Sequence, residues 1–154
     1  MALFQQAYEH AMREAIDGAV ERGITHIAFG DLFLEEVRAY RCRQLEGSGL
    51  KPLFPLWHEP TGALARRIIA AGVEARLSCV DPGKHSPSFA GRKFDHGFLE
   101  ALPDGVDPWG EYGELHTCVL AGPMFSRPAR ASVGELVERD GFRFADLVPA
   151  GGTY

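Results

Sequence analysis

The sequence predicts an α/β protein, and three observations carry that prediction. Residues 3–20 place Leu3, Ala7, Ala11, Ala15 and Ala19, with Phe4, Tyr8, Met12, Ile16 and Val20, on one helical stripe. Residues 24–29, ITHIAF, form a short β-favouring run directly after it, and helical spacing returns from Leu32 to about Leu45. Residues 73–79 alternate apolar Val73, Ala75, Leu77 and Cys79 with Glu74, Arg76 and Ser78, the period of a half-buried strand. Gly23 suits the left-handed residue that closes the first helix. A mostly apolar strand after a helix suits a parallel strand covered on both faces. Helix, strand, helix is therefore a piece of doubly wound α/β structure.

Gly47-Ser48-Gly49 breaks this pattern and marks an expected boundary. Pro52 and Pro55 exclude the following segment from a helix interior or a central strand. Thr61 is the expected N-cap of a helix that runs to Ala71 and closes at Gly72. Residues 94–102 read as a short helix ended by Pro103, and residues 115–120 as a strand ended by Gly122-Pro123. Phe142, Phe144 and Val148 suit either a last short strand or an irregular tail. The expected division is residues 1–48, 49–130 and a tail of 131–154.

The 154 residues suffice for a core without disulfide or metal staples. Sixteen Lys and Arg against 21 Asp and Glu give a net charge of −5, which argues against a dedicated nucleic-acid binder. No apolar run is long enough for a membrane span, and MALFQQAYEH lacks the pattern of a secretory signal. A cytoplasmic protein with no nucleic-acid or membrane partner is expected. Cys42, Cys79 and Cys118 are odd in number and widely spaced, so they read as buried thiols rather than a disulfide or zinc framework. No metal site is expected in the chain itself.

Four groups of residues carry chemistry. Gly30-Asp31 follows a predicted strand, where α/β sheets bind ligands; Asp31 either meets a ribose hydroxyl or metal-bound phosphate, or caps the next helix. Arg38 and Arg41 share one face of that helix, and either recognise an anion or belong to a solvated, salt-bridged surface with Glu35 and Glu36. Residues 107–117, DPWGEYGELHT, crowd Asp107, Glu111, Glu114 and His116 beside two glycines. Carboxylates so close raise one another's pKa, the condition for acid/base work or for holding a cation, and the two-residue spacing predicts that Glu114 and His116 share a strand face. Arg92 and Asp95 flank Phe94; Arg92 either grips a substrate anion or pairs with Asp95 or Asp81. Trp57 either stacks on a planar ligand or covers the core. Phosphate-loop, dinucleotide, nucleophile-elbow and zinc-helix motifs are absent from these residues.

The ordered series GDLFLEEVRAYR (30–41), PLFPLW (52–57), CVD (79–81), FAGRKFD (89–95), DPWGEYGELHT (107–117) and AGPMF (121–125) resembles the diphthine–ammonia ligase (diphthamide synthase) family of PP-loop ATPases. The resemblance covers about residues 1–130. It implies the C-terminal part of a Rossmann-like, adenine nucleotide α-hydrolase-like parallel sheet, followed by a smaller C-terminal α/β domain. Family members bind ATP with Mg2+ and adenylate a carboxyl group; in the ligase proper, ammonia then forms the amide of diphthamide on an elongation factor. The resemblance assigns Glu111, Glu114 and His116 to catalysis, Gly30 and Asp31 to the nucleotide, and Arg38, Arg41, Trp57, Arg92, Asp95 and Thr117 to substrate. The expected partners are a small-molecule or protein carboxylate and ammonia, with a homodimer as an option. The family's S-G-G-K-D-S phosphate loop lies outside this sequence, so the chain alone is expected to be inactive. Trp109 and Tyr112 stand where bacterial relatives have Cys and Asn in D-P-C-G-E-N-G-E-F-H-T. The rival expectation is a non-catalytic ligand-binding or interaction module derived from the same family.

Overall fold

The computed structural model describes residues 2–149. The chain is mixed α/β and divides into two compact units, Met1–Glu59 and Pro60–Tyr154.

The first unit begins with helix α1 (Ala2–Glu21), followed by strand β1 (His26–Ala28), helix α2 (Glu35–Leu45) and strand β2 (Lys51–Leu53). Gly23, at φ 78°, closes α1: its N–H donates to the Val20 carbonyl, and the Ile24 N–H donates to that of Ala19. β1 and β2 pair in parallel, with Ile27 opposite Pro52. The ladder survives the proline because its neighbours face β1. Lys51 N–H donates to the Thr25 carbonyl at 3.0 Å, and the Leu53 carbonyl accepts from Phe29 N–H at 2.9 Å. This pairing moves the unit boundary from the expected Gly47–Gly49 break to Glu59, since the proline segment belongs with β1. Ile16, Leu45 and Leu50 form a small core with Ala19, Ile27 and Phe29 around it. The expectation that β1 is covered on both faces does not hold within the described residues: His26 and Ala28 are exposed, and β2 is its sole partner there.

The second unit contains α3 (Thr61–Ala70), β3 (Glu74–Val80), α4 (His96–Glu100), β4 (Leu115–Ala121), β5 (Ala131–Arg139) and β6 (Phe142–Pro149). Its strands form one antiparallel sheet in the order β4-β3-β6-β5, where a smaller α/β domain was expected without a stated strand direction. The expected tail is thus largely a hairpin. Its turn is Asp140-Gly141, both at positive φ, the backbone that a two-residue hairpin turn requires. Residues 150–154 of that expected tail lie outside the described residues. Thr61 is the first residue of α3 rather than its cap; Pro60 precedes it with no side-chain cap bond. The alternation read in β3 holds, with Ala75, Leu77 and Cys79 buried. These and Val80 pack with Ala65, Phe89, Phe94, Phe98 and Leu115 in a dense core. Among the described residues no helix is long and apolar enough to cross a membrane.

Candidate functional site

The first unit gathers its functional side chains where β1 and β2 end. Parallel pairing makes both strands exit on the same side, β1 through Phe29-Gly30-Asp31 and β2 through Phe54 to His58. α2 then presents Arg38 and Arg41, three residues apart, to those exits. The Arg38 guanidinium carbon lies 4.7 Å from the Trp57 ring centre and 5.2 Å from that of Phe54. That of Arg41 lies 5.2 Å from Phe29, which itself stacks on Phe54 at 5.5 Å. Rings under a guanidinium hold it by attraction to their negative faces, worth about 0.5–2 kcal/mol per contact.

Asp31 does not cap α2, because Leu34 occupies the cap position without a side-chain bond. Its Oδ2 sits 3.6 Å from Arg41 Nε, an ion pair beyond hydrogen-bonding distance. Both atoms are buried and lack a hydrogen-bond partner in the protein. Buried polar atoms are nearly always satisfied, so this pair is an exception within the unit. His58 closes the second exit at φ 62°, an uncommon conformation for a side-chain-bearing residue, and its N–H donates to the Leu32 carbonyl at 2.8 Å. A Cβ on Gly30 would meet nothing within 4 Å, so no steric demand explains that glycine.

In the second unit the antiparallel register sets Val80 opposite Leu115 and brings the end of β3 to the start of β4. Asp81 N–H donates to the Glu114 carbonyl at 2.8 Å. Glu114 is only 5% exposed; its Oε2 accepts the Tyr112 N–H at 3.0 Å, and its Oε1 lies 4.0 Å from Lys84 Nζ. The preceding turn is tied by Asp107, whose Oδ2 accepts the Glu111 N–H at 3.0 Å. Gly110 is required here: at φ 67° a Cβ would approach the Leu115 carbonyl oxygen to 2.6 Å.

Glu114 and His116 do not share an environment, contrary to the two-residue spacing. Glu114 precedes β4 and is buried with its carboxylate turned back to the Tyr112 amide, whereas His116 lies on β4 and is exposed. The period of two applies only inside the strand. Thr117, also on β4, is half-buried opposite Leu77. Arg92 lies over the Phe89 ring at 5.2 Å and pairs with neither Asp81 nor Asp95. Asp95 is the N-cap of α4, accepting the Phe98 N–H at 2.8 Å. Trp109 is a structural residue: it stacks on Phe94 at 4.8 Å, and its indole N–H donates to the Thr61 carbonyl. Tyr112 is 63% exposed and supplies its backbone N–H to Glu114.

Lys84 and His85 join this cluster without having been singled out in the sequence. The signal was the turn after β3: Gly83 N–H donates to Asp81 Oδ1, and the N–H groups of Lys84 and His85 donate to the Asp81 carbonyl. His85 is 4% exposed, and neither ring nitrogen has a hydrogen-bond partner among the described residues. Burial pushes its pKa below the usual imidazole value; Glu114 and Asp81 pull the other way, and Lys84 adds to the lowering. Burial, with the nearby Asp81 charge, pushes the Cys79 thiol up. Cys79 is buried as expected, while Cys42 and Cys118 are half-buried; all three are free.

Among the described residues no group of three or more His, Cys, Asp or Glu side chains is placed to hold a metal ion. No protein-family model matches the chain. The comparison with curated proteins likewise gives no match.

Proposed function

We propose that the chain is the C-terminal portion of an ATP-dependent amide-forming ligase of the diphthine–ammonia ligase type. The observation that carries this reading is the meeting of Asp31, Arg38, Arg41 and Trp57, drawn from separate sequence segments, at the carboxyl ends of two parallel strands. Open α/β sheets bind ligands at that edge. In this reading β1 and β2 belong to a larger Rossmann-like parallel sheet, and the protein is cytoplasmic.

ATP, when bound, would supply activation of the substrate carboxylate by adenylyl transfer with release of pyrophosphate, so that ammonia could form the amide with release of AMP. Arg38 and Arg41 are the residues that would hold the anionic phosphates. Each guanidinium is backed by an aromatic ring that positions it; Arg38 keeps its edge N–H groups for bidentate contact, while Arg41 already donates from Nη1 to the Tyr8 hydroxyl at 3.4 Å. Asp31 keeps Arg41 in place and offers its unsatisfied Oδ2 to a ribose hydroxyl or to hydrated Mg2+. The PP-loop itself would come from a segment outside these residues.

Glu114 binds the ammonium ion and receives the proton that must leave before nitrogen can attack. Its buried carboxylate is already fixed by the Tyr112 amide, so little reorganisation accompanies that transfer. Glu111 lies on the same turn, and His116, exposed on β4, is assigned to the ammonia side of the reaction. Arg92, Asp95 and Thr117 are assigned to the carboxylate substrate.

The test is AMP formation from ATP, with ammonia and a carboxylate substrate, by this segment joined to an S-G-G-K-D-S-bearing nucleotide segment. Glu114→Gln should lower turnover by about tenfold or more, within the range of positioned acid/base groups. Unchanged turnover removes Glu114 from the reaction. Absence of ATP binding by the joined protein overturns the ligase reading in favour of a non-catalytic binding module.

A further inference from the structure

At the opposite end of β3 from Asp81, the second unit holds a cavity of about 550 Å3, bounded by α3, the start of β3, Lys93 to Asp95, the end of β4 and residues 128–131. That volume lies within the ordinary range for small-molecule sites, about 300–1,000 Å3. Its walls divide by chemistry. Ile69, Val73, Phe94 and Leu120 supply apolar surface, with Phe94 fixed in the core by its stack on Trp109. Arg76, Lys93 and Arg130 supply three positive charges.

The acidic groups of the lining, Glu74 and Asp95, do not cancel this. Three cations against two carboxylates leave the lining with an excess of one positive charge. Asp95 is also partly committed, since its Oδ1 accepts the Phe98 N–H as the cap of α4. Arg76 is half-buried and oriented: its Nη1 donates to the Gly91 carbonyl at 2.8 Å, which anchors the guanidinium at one nitrogen and leaves its other donors. Lys93 and Arg130 are exposed, so they reach a ligand without first breaking a buried contact. The wall formed by residues 128–131 is pinned where Ala129 N–H donates to the Leu120 carbonyl at 2.7 Å. The cavity is therefore built on a strand and a fastened loop, a preformed site rather than a gap between side chains.

We propose that this cavity is a binding site for a small organic carboxylate with an apolar body. The hydrocarbon portion lies against Ile69, Val73, Phe94 and Leu120, and the carboxylate meets Arg76, Lys93 and Arg130. An uncharged analogue forfeits the charge-assisted hydrogen bonds, the stronger class of polar contact. A polyanion would place further charge against Glu74 and Asp95, so a single carboxylate is the better match. The proposal uses neither the Arg38–Arg41 cluster nor Glu114, and shares with the ligase reading only Asp95, which is a wall of the cavity and not one of the groups that meet the carboxylate.

The experiment is a titration of the full chain, labelled with 15N, with phenylbutyrate and separately with its neutral amide. Saturable amide shifts should appear at Val73, Arg76, Lys93 and Ala129, and phenylbutanamide should bind about tenfold more weakly or worse. Lys93→Ala with Arg130→Ala should weaken phenylbutyrate by about tenfold, while Arg127→Ala, on the same loop but outside the lining, should not. Both substituted residues are exposed, so the fold is kept, and an unchanged spectrum away from the cavity verifies it. Equal binding of acid and amide, shifts mapping elsewhere, wild-type affinity in the double variant, or no saturation below about 10 mM overturns the proposal.

Discussion

The two units solve the same problem in opposite ways. The second, Pro60–Tyr154, spreads ten buried side chains beneath a four-stranded sheet, and its polar cluster sits at one end of that sheet. The first, Met1–Glu59, has among the described residues a core cluster of three buried side chains beside two short strands, yet carries the Asp31–Arg41 pair and the ring-backed Arg38. The difference teaches that rigid support and functional groups need not be drawn from the same amount of buried area. In the second unit precision comes from packing; in the first it comes from aromatic rings that fix charged groups at an edge.

The contrast breaks most readily at Phe98, which is fully buried and touches Phe89 and Phe94. Phe98→Ala should cost about 3–5 kcal/mol, read as a lowered urea midpoint, and a loss under about 1 kcal/mol would contradict a tightly packed core. Next comes Asp95→Ala, expected to remove about 1 kcal/mol through loss of the α4 cap; an unchanged midpoint would show that the cap bond adds nothing.

His85 sharpens the comparison through pH. Its folded pKa lies below the usual value, so below about pH 6.5 the unfolded chain takes up a proton that the folded chain does not. Stability should therefore fall on acidification from about pH 6.5 toward the lower folded pKa. His85→Leu should flatten this slope, as seen in urea midpoints at pH 7 and pH 5, about either side of the imidazole range. Equal slopes in both proteins would sink the assignment. The smallest effect is expected at Glu138, 71% exposed, whose carboxylate pairs with Arg143 at 2.8 Å across β5 and β6. Glu138→Gln should change stability by less than about 1 kcal/mol, and salt should erase even that.

The legible part of the fold was the part encoded by period and punctuation. Gly23, the alternation in β3 and the stripe of α1 each announced a local structure that the chain adopts. The cover for those faces was not legible: Tyr8 and Val20 of the α1 stripe are exposed, and β1 has β2 alone beside it among the described residues. The β5–β6 hairpin left a signal, Asp140-Gly141 between alternating segments, and of the two alternatives for Phe142, Phe144 and Val148 the chain adopts the strand. In the site, the arginine spacing on α2 correctly predicted a shared face, whereas the spacing of Glu114 and His116 misled because the strand begins between them.

The sequence by itself determined which residues are apolar, where the chain turns, and which charged groups stand on one helix face, because those follow from short-range geometry. Only the tertiary structure decided that the sheet of the second unit is antiparallel, that Asp31 meets Arg41 instead of capping a helix, and that His85 is buried beside Glu114. The first and the last of those facts join residues far apart in the chain. Such contacts depend on which strands pair and in what register, and no local pattern of side chains specifies that pairing.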